Sequence, residues 1–346
     1  MQPFFKSIQI NNLLSFGPDS PPIELGPLNV IIGTNGSGKS NLFDVLALLQ
    51  DAHNDFIGPF REAGCPPIEW FWKPGESHRN DFKTEARINL HDEFFGNVNI
   101  LLFLKDEDIV SHDAKFTKLL KHQTDSDVFK ELGKIWQTIH IYKDWIYGRK
   151  SPLRFAQLGY SLDKWLNEDG SNLGVVLKKI KAHEESYARY LEFLKQLYEG
   201  VDDFEIDEYK DGTLRVYLRE GERIIHAARL SDGTLRYLML LAVLCYPEPP
   251  AVVCIEESEM GLHPDLVHVM AEALQYAAER TQVIVTTHSV SLVDCFTSTP
   301  EVIQVCEKHE GQTYIERLDP EKMSVWLDEY RLGDLWTSGE IGGNRW

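Results

Sequence analysis

The eight residues 33–40, Gly-Thr-Asn-Gly-Ser-Gly-Lys-Ser, fit the pattern GxxxxGK(S/T) and lie between a predicted strand and a predicted helix. The strand is the short apolar run of residues 28–32, and the helix has apolar residues at helical spacing from Leu42 to Leu49. A Gly/Ser-rich surface turn is the alternative, and the flanking strand and helix argue against it. The stretch therefore predicts that the chain binds a nucleoside triphosphate.

The residue types in this loop match the chemistry of phosphate binding. Backbone N–H groups of a glycine-rich turn at a helix N-terminus form a concave donor site for phosphate oxygens. Lys39 supplies a point charge for the β- and γ-phosphates, and the Ser40 hydroxyl is placed to ligate Mg²⁺. The predicted nucleotide-binding residues of the loop are Asn35, Gly36, Ser37, Gly38, Lys39 and Ser40.

Two later strands are predicted to end in polar residues that suit nucleotide hydrolysis. Residues 251–255 form a continuous apolar run, typical of a strand buried on both faces, and are followed by Glu256 and Glu257. One acid at this position can hold Mg²⁺ through water, and the next can orient the attacking water. Residues 282–287 predict another buried strand, which leads to His288. A histidine there can sense the γ-phosphate, although a lone loop histidine is more often structural.

The segment 230–234, Leu-Ser-Asp-Gly-Thr, precedes a predicted helix from Leu235 to Cys245. Ser231 is the expected N-cap of this helix, whose first N–H groups then form a second anion-binding site. In isolation such a segment is usually a cap or a turn. Its place between the phosphate loop and the acidic strand gives it the order of the LSxGx signature of ABC-type ATPases.

Together, these motifs resemble the SMC, RecF and OLD group of ABC-type ATPases. The run 255–264, Ile-Glu-Glu-Ser-Glu-Met-Gly-Leu-His-Pro, and the run 286–289, Thr-Thr-His-Ser, carry much of the resemblance. More narrowly, the chain resembles the single-chain bacterial predicted AAA-type ATPases of this group, without a nuclease domain. The resemblance covers residues 1–57 and 201–300 well and is weak elsewhere.

The resemblance implies roles for individual residues. It places Lys39 and Ser40 on phosphate and Mg²⁺, with Glu256 as the acid that holds the metal. The catalytic residues are then Glu257, as base, and His288, as switch, while Ser231 and Gly233 form the signature. Because the signature of one head contacts the γ-phosphate held by another head in this group, the resemblance also implies a homodimer around ATP.

One expected part is missing from the sequence. ATPases of this group usually have a glutamine between the phosphate loop and the signature that ligates Mg²⁺ and water, yet no glutamine occurs between Gln50 and Gln123. Gln123, Gln157, His78 and Asn80 are candidates, and the sequence does not choose among them.

The expected fold class is α/β, a P-loop NTPase of the ABC-ATPase head type with a mixed sheet and a helical insertion. Residues 1–110 and 200–346 are predicted to form the head, and residues 111–199 an inserted, mostly helical lid. Apolar residues at helical spacing from Phe129 to Ile139 and from Leu173 to Ile180 support helices there. Sustained heptads are absent from this sequence, which argues against the long coiled-coil arm of an SMC protein.

Composition narrows the cellular setting and the partners. The chain of 346 residues has a net charge of −19, which disfavours broad adhesion to nucleic acid. Residues 115–195 are an exception, with 15 Lys/Arg against 10 Asp/Glu, so a solvated helical surface and a nucleic-acid interface both remain open for them. No apolar run approaches the ~18 residues of a membrane span, and the five cysteines form no CxxC pair. We expect a cytoplasmic protein with reduced thiols and no membrane partner.

Two functions fit this sequence. The first is an ATPase that dimerises around ATP and controls a separately encoded effector, expected from the resemblance to be a nuclease in DNA repair or anti-phage defence. Only 58 residues follow His288, fewer than the ~100 of a typical further domain, so we expect no nuclease in this chain. The alternative is a RecF-like DNA-binding clamp that uses ATP mainly for dimerisation. An energising subunit of a membrane transporter fits less well, because of the Glu-Glu-Ser-Glu loop.

Overall fold

A computed structural model describes residues 4–54, 57–74, 85–92, 96–105, 109–116, 133–143, 145 and 148–343. These residues form two compact units. The first unit contains Met1–Ile141, Ala251–Glu256 and Thr281–Trp346, and the second contains Tyr142–Pro250 and Glu257–Arg280.

Strands and helices are interspersed along the chain, and they alternate regularly only from α5 to β14. In chain order the strands are β1 (Phe5–Asn11), β2 (Ile23–Glu24), β3 (Leu28–Ile32), β4 (Glu85–Asp92), β5 (Gly96–Lys105), β6 (Ile109–Phe116), β7 (Ile139–Tyr142), β8 (Gln157–Leu158), β9 (Val201–Glu208), β10 (Thr213–Glu220), β11 (Arg223–His226), β12 (Val252–Ile255), β13 (Gln282–Thr286), β14 (Ile303–His309) and β15 (Gln312–Arg317). The helices are α1 (Lys39–Gln50), α2 (Ile57–Glu62), α3 (Leu173–Ala182), α4 (Glu184–Leu194), α5 (Asp232–Leu244), α6 (Val267–Ala278), α7 (Val290–Asp294), α8 (Pro320–Leu327) and α9 (Leu332–Ser338).

The main sheet of the first unit has the strand order β15-β14-β3-β13-β12-β7. Strands β14, β3, β13 and β12 run parallel to one another, and β15 returns antiparallel to β14, so the sheet is mixed, as predicted. Every residue of β3, β12 and β13 is buried, which explains their continuous apolar runs. Because parallel strands end at one edge of a sheet, the segments after β3, β12 and β13 emerge together.

A second sheet of the first unit is antiparallel, with the order β2-β1-β4-β5-β6. Its inward residues and one face of α1 share a single apolar core, which includes Ile8, Ile10, Ile88, Ile100 and Leu46.

The second unit combines the antiparallel strands β8 to β11 with α3, α4, α5 and α6. Strands β9 and β10 form a hairpin around Asp211 and Gly212, with Leu214 facing Glu208 across it. The inward face of β10 alternates strictly, with Leu214, Val216 and Leu218 buried.

The predicted helical character of residues 111–199 was partly wrong. Residues 111–116 belong to strand β6, which pairs with β5. Residues 139–142 form β7 at the edge of the main sheet. Residues 133–136 are helical, as the spacing from Phe129 to Ile139 predicts, but the helix ends before Ile139, which begins β7. A short apolar run in a buried strand cannot be told from one in a helix by periodicity. The helix predicted near Leu173 is confirmed as α3. The lid boundaries 111–199 remain a prediction.

Candidate functional site

The phosphate loop begins where β3 ends, in the middle of the main sheet. Gly33 has a φ of +152°, and a Cβ built on it would lie 2.2 Å from the carbonyl oxygen of Cys306 on β14. Only glycine allows the loop to pack this closely against the neighbouring strand. Burial raises the pKa of the Cys306 thiol to about 11, so this side chain is a neutral, apolar neighbour of the loop.

The far end of the loop is held by two hydroxyl groups that the motif does not contain. Gly38 has a φ of +111° and is the N-cap of α1; a Cβ there would lie 2.1 Å from Thr313 Oγ1. The Thr313 hydroxyl lies 2.6 Å from both the Ser37 carbonyl oxygen and Ser15 Oγ, and Asn41 donates to the same Ser15 oxygen. Sequence analysis missed Ser15 and Thr313, since neither belongs to a motif.

The Lys39 side chain is hydrogen-bonded to the backbone of the phosphate loop. Its Nζ donates to the carbonyl oxygens of Gly33 at 2.8 Å and Thr34 at 3.0 Å, and the residue is buried. A buried ammonium group held on carbonyl oxygens, beside glycines with no side chain, fits the binding of phosphate oxygens. These residues therefore suit a triphosphate.

The structure brings together the two predicted metal ligands. The Ser40 hydroxyl, in the first turn of α1, donates to Oε1 of Glu256, which directly follows β12. Among the described residues there is no group of three or more His, Cys, Asp or Glu that could hold a metal. One hydroxyl and one carboxylate suit Mg²⁺, which takes few protein ligands and completes its octahedron with phosphate oxygens and water.

His288 lies at the same edge of the main sheet. The Thr287 N–H donates to the Ile31 carbonyl of β3 at 3.1 Å, so the segment after β13 is fixed beside the strand that carries the phosphate loop. His288 is exposed, and Ser289 caps the short helix α7. His288 therefore follows the strand that pairs with β3, and its role in sensing the γ-phosphate stays a prediction.

In the second unit, Ser231 is the N-cap of α5, as predicted. Its Oγ accepts a hydrogen bond from the Thr234 N–H at 3.0 Å. A cleft of about 720 Å³ opens at this helix end, lined by Ser231, Gly233, Thr234, residues 196–198 and residues 261–266. A Cβ on Gly233 would lie 2.6 Å from the Gly261 carbonyl, so this position needs glycine.

Glu257 belongs to the second unit and has an unusual backbone. Its φ is +46°, uncommon for a residue with a side chain. Its carbonyl oxygen accepts hydrogen bonds from Arg236 Nη2 at 2.5 Å and from the Met260 N–H at 3.0 Å. Arg236 lies on α5 and is 2% exposed. The sequence contained no signal for this contact, because Arg236 stands alone in an otherwise apolar helix.

The remaining sequence candidates have structural roles or lie outside the described residues. Gln157 is buried; its amide donates to the Gly170 carbonyl and accepts from the Gly174 N–H, so it serves the second unit's own backbone. Gln123, His78 and Asn80 lie outside the described residues.

The C-terminal residues dock behind the phosphate loop. The Gly343 N–H donates to Oε1 of Glu307 at 2.9 Å, and its carbonyl accepts from Trp336 Nε1 at 3.2 Å. A Cβ on Gly343, which has a φ of +71°, would lie 2.9 Å from Val305 Cγ1 and 3.6 Å from Gly33 Cα. The structure thus places residues 342–343 on the first unit, beside the phosphate loop.

Solved structures of SMC head domains are similar to this chain. The SMC head bound to the C-winged helix domain of ScpA has a TM-score of 0.67 and 14% identity, covering 93% of this chain and 100% of that chain. An SMC head with an extended coiled coil, bound to the C-terminal domain of ScpA and derived from Pyrococcus furiosus, has a TM-score of 0.66 and 14% identity. The match covers 95% of this chain and 99% of that chain. The SMC head domain from Thermotoga maritima has a TM-score of 0.53 and 17% identity, and the match covers 92% of this chain and 100% of that chain. The predicted fold, a P-loop NTPase of ABC-ATPase head type, is confirmed.

The family model described as "AAA domain, putative AbiEii toxin, Type IV TA system" matches residues 28–294, well over half of the chain. A search of curated proteins found no match. Within the described part of the chain, every helix is too short or too polar to cross a bilayer.

Proposed function

Because the chain belongs to this family of AAA domains, we propose that it binds ATP with Mg²⁺ and hydrolyses it to ADP and phosphate. The observation that carries the proposal is the contact between the Ser40 hydroxyl and the Glu256 carboxylate, beside Lys39 in the phosphate loop. Three residues that bind phosphate and metal in P-loop ATPases are thereby gathered within one unit.

In the proposed reaction, each of these residues has one task. Lys39 exchanges its hydrogen bonds with the loop carbonyls for bonds to the β- and γ-phosphate oxygens. Ser40 and Glu256 hold Mg²⁺, which neutralises charge on the phosphates. Glu257 accepts a proton from a water molecule while the oxygen of that water bonds to the γ-phosphorus. The bond between the γ-phosphorus and the bridging oxygen then breaks, and ADP leaves. His288 contacts the γ-phosphate.

We further propose that two copies enclose ATP, with Ser231 of one copy contacting the γ-phosphate held by the other. The cleft at the N-terminus of α5 supports this, because a helix N-terminus with an exposed serine and a half-buried glycine favours an incoming anion. No second ATP-binding motif occurs in the sequence to fill that cleft from within the same chain.

The ATP-dependent dimer is proposed to control a separately encoded effector in the cytoplasm. Related folds act with partners, since two of the similar SMC heads were solved bound to domains of ScpA. The family description refers to a toxin of a type IV toxin–antitoxin system, which agrees with control of a toxic effector such as a nuclease. A setting in DNA repair or anti-phage defence comes from the resemblance to OLD and RecF proteins.

The RecF-like clamp is the second candidate, and the positive balance of residues 115–195 favours it. Several of these cations already have acidic partners, namely Lys178 with Glu208 and Lys164 with Glu248. Such pairing leaves less charge for DNA phosphates, so the effector-controlling ATPase is preferred.

Measuring ATP turnover with and without duplex DNA separates the two functions. Steady ATP turnover that duplex DNA does not change supports the effector-controlling ATPase. Negligible turnover together with tight, salt-sensitive DNA binding would instead support the RecF-like clamp.

A further inference from the structure

Arg154 lies outside every sequence motif of the proposed ATPase, yet it binds the loop that carries the signature. Its side chain, 13% exposed, donates four hydrogen bonds within the second unit. Nε donates to the Gly148 carbonyl at 2.8 Å, and Nη1 donates to the carbonyls of Ala228 at 3.0 Å and Leu230 at 2.7 Å. Nη2 donates to Asp232 Oδ1 at 2.6 Å.

These contacts surround Ser231 on both sides. Leu230 precedes it and Asp232 follows it, and both are bound by the same guanidinium group. The Gly148 N–H also donates to Asp232 Oδ1 at 2.9 Å, which closes the group of bonds. We call these five residues, Gly148, Arg154, Ala228, Leu230 and Asp232, the Arg154 cluster.

The chemistry of the cluster suits a positioning role. The planar guanidinium presents fixed donors in several directions, so it can set the path of a loop in a way that a lysine cannot. Arg154, with help from Gly148, lowers the pKa of Asp232, so the carboxylate remains charged next to the N-terminus of α5. A negative charge there stabilises the helix but would repel a phosphate.

Arg154 offsets that repulsion by pairing with the carboxylate. We infer that Arg154 is a positioning residue of the signature: it fixes Ser231 and neutralises Asp232, so that the γ-phosphate held by a second copy of this chain can approach. The inference rests on the proposed sandwich of ATP between two copies. It assigns a function to the segment 148–154, which no motif covers.

The first test compares Arg154→Met with the matched control Arg149→Met in a Glu257→Gln background. Arg149 is an exposed arginine five residues earlier. Losing charge-assisted hydrogen bonds at the signature should weaken ATP-dependent dimerisation by about tenfold or more for Arg154→Met. ATP affinity of the monomer should stay within threefold, because the phosphate loop is untouched.

Complementation distinguishes a damaged signature from a misfolded chain. In the hydrolysis-competent background, Arg154→Met heads and Lys39→Ala heads should each be inactive alone. A mixed dimer has one site in which the intact Lys39 of one head faces the intact signature of the other head. Since the second site is defective, each mixed dimer should have about half of the wild-type turnover. A chain that had merely lost its fold would restore nothing.

Asp232→Asn supplies a second, milder variant. If the Arg154–Asp232 pair acts as a unit, the double variant should weaken dimerisation by less than the product of the two single effects. An Arg154→Met chain that dimerises as tightly as the Arg149→Met control overturns the inference and leaves the ATP sandwich standing. If the Glu257→Gln chain itself forms no dimer with ATP, the sandwich fails and the inference falls with it.

Discussion

The guanidinium of Arg236, on helix α5, donates a 2.5 Å hydrogen bond to the carbonyl oxygen of Glu257. Arg236 is buried, and Glu257 has the positive φ of a constrained residue. The helix that Ser231 caps is therefore bonded directly to the backbone of the proposed catalytic base.

Arg236→Lys should lower the turnover rate while leaving ATP affinity unchanged, because a lysine keeps the charge but not the geometry that holds Glu257. We also expect a loss of about 1–3 kcal/mol in stability from the disturbed buried hydrogen bond. Steady-state kinetics and thermal unfolding measure both.

Arg280→Lys is the matched control for this experiment. Arg280 donates to the carbonyls of Tyr246 and Leu244 in the same unit, at the other end of α5. Arg280→Lys should lower the stability by about as much as Arg236→Lys does, without changing the turnover rate. Equal loss of turnover in both variants would show that Arg236 has no special link to Glu257.

Lys39→Ala should abolish tight ATP binding, since it removes the buried cation of the phosphate loop. We expect a loss of at least tenfold in affinity, in line with a charge-assisted bond to phosphate. Calorimetric titration with ATP and Mg²⁺ measures it, with the exposed Lys308→Ala as control. An affinity within threefold of the wild type contradicts the assignment of the loop.

Glu257→Gln should retain ATP binding and stop turnover, because the amide has nearly the same shape but cannot accept the proton. The variant should accumulate as an ATP-bound dimer. Glu259→Gln, which changes the next acid along the chain, should keep the wild-type turnover. Hydrolysis by Glu257→Gln at the wild-type rate would transfer the role of base to Glu256 or Glu259.

Ser231→Arg should prevent the ATP-dependent dimer of the Glu257→Gln chain, since a long side chain fills the cleft at the N-terminus of α5. Nucleotide binding to a single head should stay nearly intact. Ser231→Ala is the comparison: it removes the N-cap, worth about 1 kcal/mol, and the hydroxyl proposed to contact the γ-phosphate, but adds no bulk, so it should weaken the dimer less than Ser231→Arg. Light scattering that detects equal dimerisation with Ser231→Arg would remove the support for the sandwich.

Gly343→Ala should destabilise the first unit and weaken ATP binding. The positive φ alone costs about 1–2 kcal/mol for a residue with a Cβ, and this Cβ would also press on Val305 behind the phosphate loop. Gly311→Ala is the control, with a φ of +83° and open space around it. If the two variants lower the melting temperature equally, the tail does not support the loop.

The sequence by itself determined the chemistry of the nucleotide site and the class of fold. Phosphate binding needs consecutive backbone N–H groups and a neighbouring lysine, so residues 33–40 carry that information locally. The buried strands β3, β12 and β13 are recognisable because burial on both faces requires continuous apolar runs. Because these strands are parallel, the segments that carry Ser40, Glu256 and His288 begin at one edge of the sheet.

Only the tertiary structure decided what holds these residues in place. Thr313 reaches Ser15 across 298 residues of sequence, and Arg154 reaches Asp232 across 78. Single polar side chains that bind distant backbone groups leave no periodic pattern, so no local window of sequence could indicate them. Strand β7 likewise required its neighbour β12, because pairing in a sheet overrides a spacing that fits a helix equally well.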